Sequence, residues 1–257
     1  MIKRHRDILE LLEQHGDVVV NELADRFDVS PLTIRRDLDA LASDGLVLRT
    51  HGGATRAAAG VIRFVHAEKA QSHEAEKAAI AREVASMIAP GMTISLDTGT
   101  TTMAVAREIA AIPSLTVLTS SLAVASVLYG RENITLYILG GLVGHGSPDL
   151  TGEVTEDNIT RFRVQKTILG ADAVCTDGIF TGNSAVARVS RAMIRGGAER
   201  IVVADSSKIN QTAFVRIAPL ADINCIVTDA GATPDARALL DGRARAVRYA
   251  PLSQSKE

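Results

Sequence analysis

Cysteine is scarce in this sequence. Cys175 and Cys225 are the only two, and both lie in apolar runs without the spacing of a metal site. No Cys/His cluster suggests zinc, and the two thiols are expected to be buried and unpaired, as suits a reducing compartment. Long apolar runs are missing as well. None approaches the ~18 residues needed to cross a bilayer, and the N-terminal MIKRHRDILE lacks the apolar core of a signal peptide. A cytoplasmic protein with no membrane partner is expected. A basic excess is the third absence: the chain carries 28 Lys and Arg against 30 Asp and Glu, and residues 1–56 hold 8 against 10. The totals do not announce a nucleic-acid partner, so any such case rests on where the charges lie.

What remains is the composition of a globular protein, 46% hydrophobic and 23% charged over 257 residues, enough for a small domain and a medium one. The composition shifts near residue 57, where Ala-Ala-Ala-Gly opens a mixed polar segment. The expected domains are 1–56 and 74–257, with a linker at 57–73. From residue 74 onward, helix-like stretches at 74–89, 102–111, 121–128 and 184–196 alternate with β-branched runs at 93–96, 115–118, 134–139, 167–169, 201–204 and 224–227. Short strands apolar on both faces, in a βαβα rhythm, predict an α/β fold with a parallel sheet covered by helices.

Three helices fit residues 1–43. The first, 3–15, buries Ile8, Leu11 and Leu12 and ends at Gly16. Asn21 is placed to cap a second, carrying Leu23, Ala24 and Phe27. Ser30 is placed to cap a third, with Pro31 in its first turn. Two short helices joined by a tight turn make a helix-turn-helix, whose second helix enters the major groove of double-stranded DNA. With Ile34, Leu38 and Leu41 inward, Thr33, Arg35 and Arg36 face outward near the helix start, where arginine suits guanine edges and phosphates. A hairpin at 45–54 then projects Arg49 and His51, with Gly52 and Gly53 allowing close backbone approach to a phosphate. The acids Asp37, Asp39 and Asp44 fall later, away from the groove-facing end.

The stretch VSPLTIRRDLDALASDGLVLRTHGGA, residues 29–54, resembles the signature of the DeoR family of bacterial transcriptional regulators, with its IRRDL recognition helix and HGGA wing. The resemblance implies a winged helix-turn-helix with Ser30, Pro31, Thr33, Arg35 and Arg36 at the groove, and Arg49 and His51 in the wing.

In the second domain, ISLDTGTTTMAVA (94–106) reads as a strand ending at Asp97, a loop of Thr98, Gly99, Thr100 and Thr101, and a helix. Loop amides and hydroxyls at a helix N-terminus suit a phosphate. The loop is neither a Walker motif nor a dinucleotide fingerprint, so no cofactor is expected. Other strand ends carry compatible groups: Ser120 among three hydroxyls, the Gly140-Gly141 pair, and Asp205 with Lys208. Ligands of open α/β sheets sit at the strands' carboxyl ends. Lys208 would neutralise a phosphate, and Asp97 or Asp205 would accept hydrogen bonds from sugar hydroxyls. These pieces also resemble the family's sensor domain, which is similar in fold to ribose-5-phosphate isomerase. That resemblance implies a phosphorylated sugar or related metabolite as effector, a homo-oligomeric repressor of a carbohydrate-catabolic operon, and operator DNA as partner.

An isomerase-like enzyme would need a carboxylate base beside a lysine. After Gly170-Ala171-Asp172, residues 173–198 hold Asp177 as their one carboxylate and no lysine. Asp172 is therefore read as structural and no catalytic residue is assigned. A DNA-binding scaffold without a ligand is the remaining alternative.

Overall fold

In a computed structural model, residues 3–43, 47–50, 52–56, 72–144 and 147–252 are described. They fall into two compact units, Met1–Arg63 and Phe64–Glu257. Most of the expected linker, 57–71, lies outside the described residues.

In the first unit, helix α1 (Lys3–His15) leads through strand β1 (Asp17–Val19) into α2 (Val20–Phe27) and α3 (Pro31–Ser43). Strands β2 (Val47–Arg49) and β3 (Gly53–Arg56) follow, and the three strands pair antiparallel in the order β1-β3-β2. Ile8, Leu12, Ile34, Leu38 and Leu41 are fully buried in one core, the inward face that their helical spacing predicts. Gly16, at φ +84°, ends α1 by closing its amide on the Leu12 carbonyl at 3.0 Å.

Asn21, expected as a cap, does not cap α2. The helix begins two residues earlier than that, at Val20 after Val19, without a side-chain cap, and the Val20 amide donates to the Gly52 carbonyl at 2.9 Å. The β1–β3 ladder ends at Val19 opposite Gly53, so the chain passes directly from strand to helix and the hairpin supplies the acceptor. Gly53 has a packing reason of its own. A Cβ there would stand 1.8 Å from the Val18 carbonyl oxygen, so its missing side chain serves strand pairing.

The second unit opens with α4 (Glu74–Ser86), then β4 (Thr93–Leu96), α5 (Thr100–Ile109), β5 (Leu115–Thr119), α6 (Leu122–Leu128) and β6 (Ile134–Ile138). A small hairpin, β7 (Leu142–Val143) and β8 (Leu150–Thr151), precedes α7 (Glu153–Thr160). Next come β9 (Val164–Gly170), β10 (Ala173–Cys175), β11 (Gly178–Thr181), α8 (Ser184–Gly196), β12 (Gly197–Val203) and β13 (Val215–Ala218). The unit closes with β14 (Cys225–Asp229), α9 (Pro234–Asp241) and β15 (Val247–Ala250).

Seven of these strands form an all-parallel sheet in the order β15-β14-β12-β9-β4-β5-β6. Adjacent residues serve opposite cores. Val117, Ile168, Ile201, Val203 and Val227 join Ile80 of α4 and Val105 of α5 on one face. Leu118, Leu169, Val202 and Ile226 join Val189 and Met193 of α8 on the other. Period-two alternation with both sides covered is why these strands read as continuous apolar runs. Cys175 and Cys225 are buried and free.

The chain winds from β4 through β5 to β6 in one direction, then returns to place β9 on the other side of β4 and continues outward. The crevice beyond the carboxyl ends of β4 and β9 is the topological switch point, where open α/β sheets bind ligands. A separate antiparallel sheet, β10-β11-β13, lies in the excursion between β9 and β14 and had no counterpart in the sequence pattern.

Candidate functional site

In the first unit, the start of α3 presents Ser30, Pro31, Arg35 and Arg36 exposed, with Thr33 half-buried. Ser30 is the cap: its Oγ accepts from the Thr33 amide at 3.2 Å and meets the Thr33 hydroxyl at 2.9 Å. Its role is thus first to start the helix and set the angle of the two arginines. Leu32 is 56% exposed at the start of the same helix, an apolar side chain that spacing alone did not single out.

Asp37 is not a spare surface acid. It is buried, and accepts from Arg4 Nε at 2.5 Å and from His5 Nε2 at 3.0 Å, fastening the recognition helix to α1. Burial pushes this carboxyl up, but the hydrogen bonds and charges of Arg4 and His5 outweigh it and hold it below the ordinary value. Arg49 is exposed and donates to Asp39 Oδ1 at 2.9 Å and to the Gly53 carbonyl at 2.5 Å. His51 lies outside the described residues.

In the second unit, a cavity of about 370 Å³ opens beyond β4 and β9. Asp97, Thr98, Gly99, Thr100, Thr101, Asp205 and Lys208 line it together, from the segments after β4 and after β12. Gly99, at φ +122°, begins α5 with no side-chain cap, so the first amides of the helix are left as donors. Gly170 permits the approach of this loop, since a Cβ there would lie 2.7 Å from the Thr98 carbonyl oxygen.

Three further groups line the cavity that the sequence pattern did not place there, among them Asp172, which it marked as structural. Asp149, in the segment before β8, accepts hydrogen bonds from the Thr98 hydroxyl and from Ser147 Oγ. Asp172 also lines the cavity, while its Oδ2 accepts from Thr181 Oγ1 and the Gly182 amide, each at 2.9 Å. Lys77 of α4 is buried, and its Nζ donates to the Ser72 carbonyl at 2.6 Å. Burial lowers the Lys77 ammonium from its ordinary value, with Asp205 opposing and Lys208 reinforcing. A signal for Lys77 existed, because it shares the apolar face of Ile80, Ala81 and Val84. A charged residue on a buried stripe marks a special environment.

Ser120, Gly140 and Gly141 do not line this cavity. Ser120 is buried, and its carbonyl accepts from the Leu150 amide at 2.7 Å. Gly141 faces α7: a Cβ there would stand 1.9 Å from Thr155 Oγ1 and 2.7 Å from the Thr151 carbonyl oxygen. Gly141 lets the chain entering β7 pass close to Thr155 of α7 and Thr151 of β8, and Thr155 Oγ1 donates to the Gly140 carbonyl at 2.7 Å.

A model of the DeoR-like helix-turn-helix domain matches residues 4–59, and one of the DeoR C terminal sensor domain matches residues 72–230. The chain belongs to the DeoR family. The glycerol-3-phosphate regulon repressor of Escherichia coli (strain K12) is 37% identical over 229 residues, covering 89% of this chain and 90% of that one. Transcriptional repressor AccR of Agrobacterium fabrum is 37% identical over 230 residues, covering 89% of each. Among solved structures, ribose 5-phosphate isomerase A from Methanocaldococcus jannaschii matches 53% of this chain and 55% of that one at 20% identity and a TM-score of 0.40. Among the described residues of this DeoR-family chain, no helix is long and apolar enough to cross a membrane.

Proposed function

We propose that the protein is a DNA-binding repressor of a carbohydrate-catabolic operon, controlled by a phosphorylated sugar or related metabolite. The observation that carries this reading is the cavity at the switch point, where the uncapped N-terminus of α5 and Lys208 face Asp97, Asp149, Asp172 and Asp205. Amides and a lysine suit a phosphate, and carboxylates suit the hydroxyls of the sugar attached to it. Its DeoR-family relatives, named as repressors, support the DNA-binding half, as do the exposed Arg35 and Arg36.

Ser30, Thr33, Arg35, Arg36, Arg49 and His51 would hold the duplex, and a homo-oligomer would present paired recognition helices to repeated half-sites. Effector binding controls DNA affinity only if the two DNA-binding states differ in effector affinity. The test is fluorescence anisotropy with a duplex taken upstream of the operon beside the gene, titrated with a panel of phosphorylated sugars. At least one should change the DNA affinity and raise the melting temperature. The reading falls if no duplex binds, or if none of the panel alters either quantity. Turnover of a sugar phosphate without any effect on DNA binding would replace it with an enzyme.

A further inference from the structure

Asp97 follows the last residue of β4 and lines the cavity, yet only one of its oxygens is engaged. Oδ2 accepts from Ser190 Oγ of α8 at 2.8 Å. Oδ1 is shut off from solvent and has no hydrogen-bond partner among the described residues, on a residue only 1% exposed. A buried carboxylate with an idle oxygen is costly, and the neutral acid costs far less. The neighbours sharpen this preference. Asp149, from the segment before β8, and Asp172, from the segment after β9, bring like charge toward Asp97. The other charged or titratable cavity groups are Asp205 and Lys208 beyond β12, and His73 and Lys77 at the start of α4. Beside Asp97 lies the loop of residues 98–101, whose helix-start amides suit an anion.

We infer that Asp97 couples anion binding in this cavity to a proton. When a phosphorylated ligand settles on the 98–101 loop, the Asp97 carboxylate takes one proton from solvent, and the sensor binds ligand and proton together. This rests on the reading of the loop as an anion site. Burial first, and then the charges of Asp149 and Asp172, push the Asp97 carboxyl up to about 7, against the pull of the Thr98 amide and the Ser190 hydroxyl. In the empty cavity the group therefore titrates near neutrality, and a neighbouring anion moves it higher still. Above that pH the empty protein holds Asp97 ionised and must gain a proton on binding. Affinity then falls as pH rises, by up to about tenfold per pH unit. Well below it, Asp97 is protonated in both states and the dependence disappears.

Sulfate is the probe, because it keeps its charge where phosphate esters titrate, near pH ~6. Calorimetric titration of the full chain slightly above neutrality, in buffers of different ionisation enthalpy, counts the protons taken up per sulfate bound. The expected count is a large fraction of one. In the wild type, the Asp97 carboxyl carbon followed by NMR should titrate near neutrality and shift to higher pH when sulfate is added. In Asp97→Asn the proton uptake accompanying binding should vanish. Sulfate binding by the wild type without proton uptake, or with the Asp97 midpoint unmoved, overturns the coupling while leaving the anion site standing. If the wild type binds no sulfate at any pH, the anion site falls and the coupling falls with it.

Discussion

Arg49 in the wing donates to Asp39 of the recognition helix, Nε to Oδ1 at 2.9 Å, while its Nη1 holds the Gly53 carbonyl at 2.5 Å. The wing's described cation is thus partly neutralised by a neighbour on α3. An exposed pair of this kind stabilises a fold by about 0–1 kcal/mol, so its main effect is on the charge offered to DNA. Asp39→Asn should therefore leave the melting temperature almost unchanged and tighten DNA binding. Anisotropy at several salt concentrations should show log affinity falling more steeply with log salt, by a slope of about 0.9 for one added phosphate contact. An unchanged slope would mean that Arg49 does not meet a phosphate.

Arg35 and Arg36 stand exposed on α3 while Ile34, Leu38 and Leu41 carry its buried face, so removing them costs the fold little. Changing both to Ala should abolish discrimination between operator and unrelated duplex. An arginine that reads a base is worth about 1–3 kcal/mol at that position, whereas a phosphate contact weakens all sequences alike. Single variants assayed on operator and scrambled DNA separate the two roles. If the double variant still shifts operator DNA specifically, the recognition-helix assignment is wrong.

Asp37 gives the first unit an acid-sensitive joint. Its carboxyl is held below the ordinary value in the folded state, so its contribution to stability is complete above the unfolded value, about 4, and is lost as pH falls through the folded one. Asp37→Ala should destabilise by about 2–3 kcal/mol near neutrality, because it leaves the partly buried Arg4 and His5 without their acceptor. Melts of wild type and variant should converge as pH drops below ~4. A gap that stays constant into acid would show that the ion pair is not what joins α1 to α3.

Lys208 tests the cavity from its cationic side. Lys208→Ala should weaken sulfate or sugar-phosphate binding by roughly tenfold, the loss of about one charge-assisted hydrogen bond, while ligand-free operator binding survives. Thermal shift and anisotropy on the same preparation read both. Retention of full anion affinity would place the phosphate away from the segment after β12.

How much of this was legible in the sequence depended on the range of the interaction. The helices of the first unit, the seven-stranded rhythm in part, and the Asp97-to-Thr101 loop follow from local spacing, capping and both-faced apolar runs. Helix 184–196 coincides with its expected bounds. Asp149, Asp172 and Lys77 come from separate segments that meet where the order of winding reverses between β4 and β9. Tertiary pairing decided the acids as well. Asp37 and Asp39 look alike along the helix, yet one is buried on Arg4 and the other is exposed beside Arg49. The strands β10 and β11 form a tight hairpin that β13 joins only from beyond α8 and β12, and all three are too short to show a readable alternation.

Gly141 shows the same limit at a single residue. A glycine after a strand suits both ligand access and close packing, and only the structure separates them. At φ +124° the backbone is strained for any L side chain, and a Cβ would collide with Thr155 Oγ1 at 1.9 Å and with the Thr151 carbonyl oxygen at 2.7 Å. Carbonyl oxygen cannot be rotated away, so the β7–β8 hairpin would have to move relative to α7. Gly141→Ala should therefore destabilise the second unit by about 2–3 kcal/mol through backbone strain and overpacking. Its effect on anion affinity should be far smaller than that of Lys208→Ala, since the residue stands outside the cavity. A Gly141→Ala protein that melts like the wild type but loses sulfate binding would reverse the assignment and return the glycine pair to the ligand.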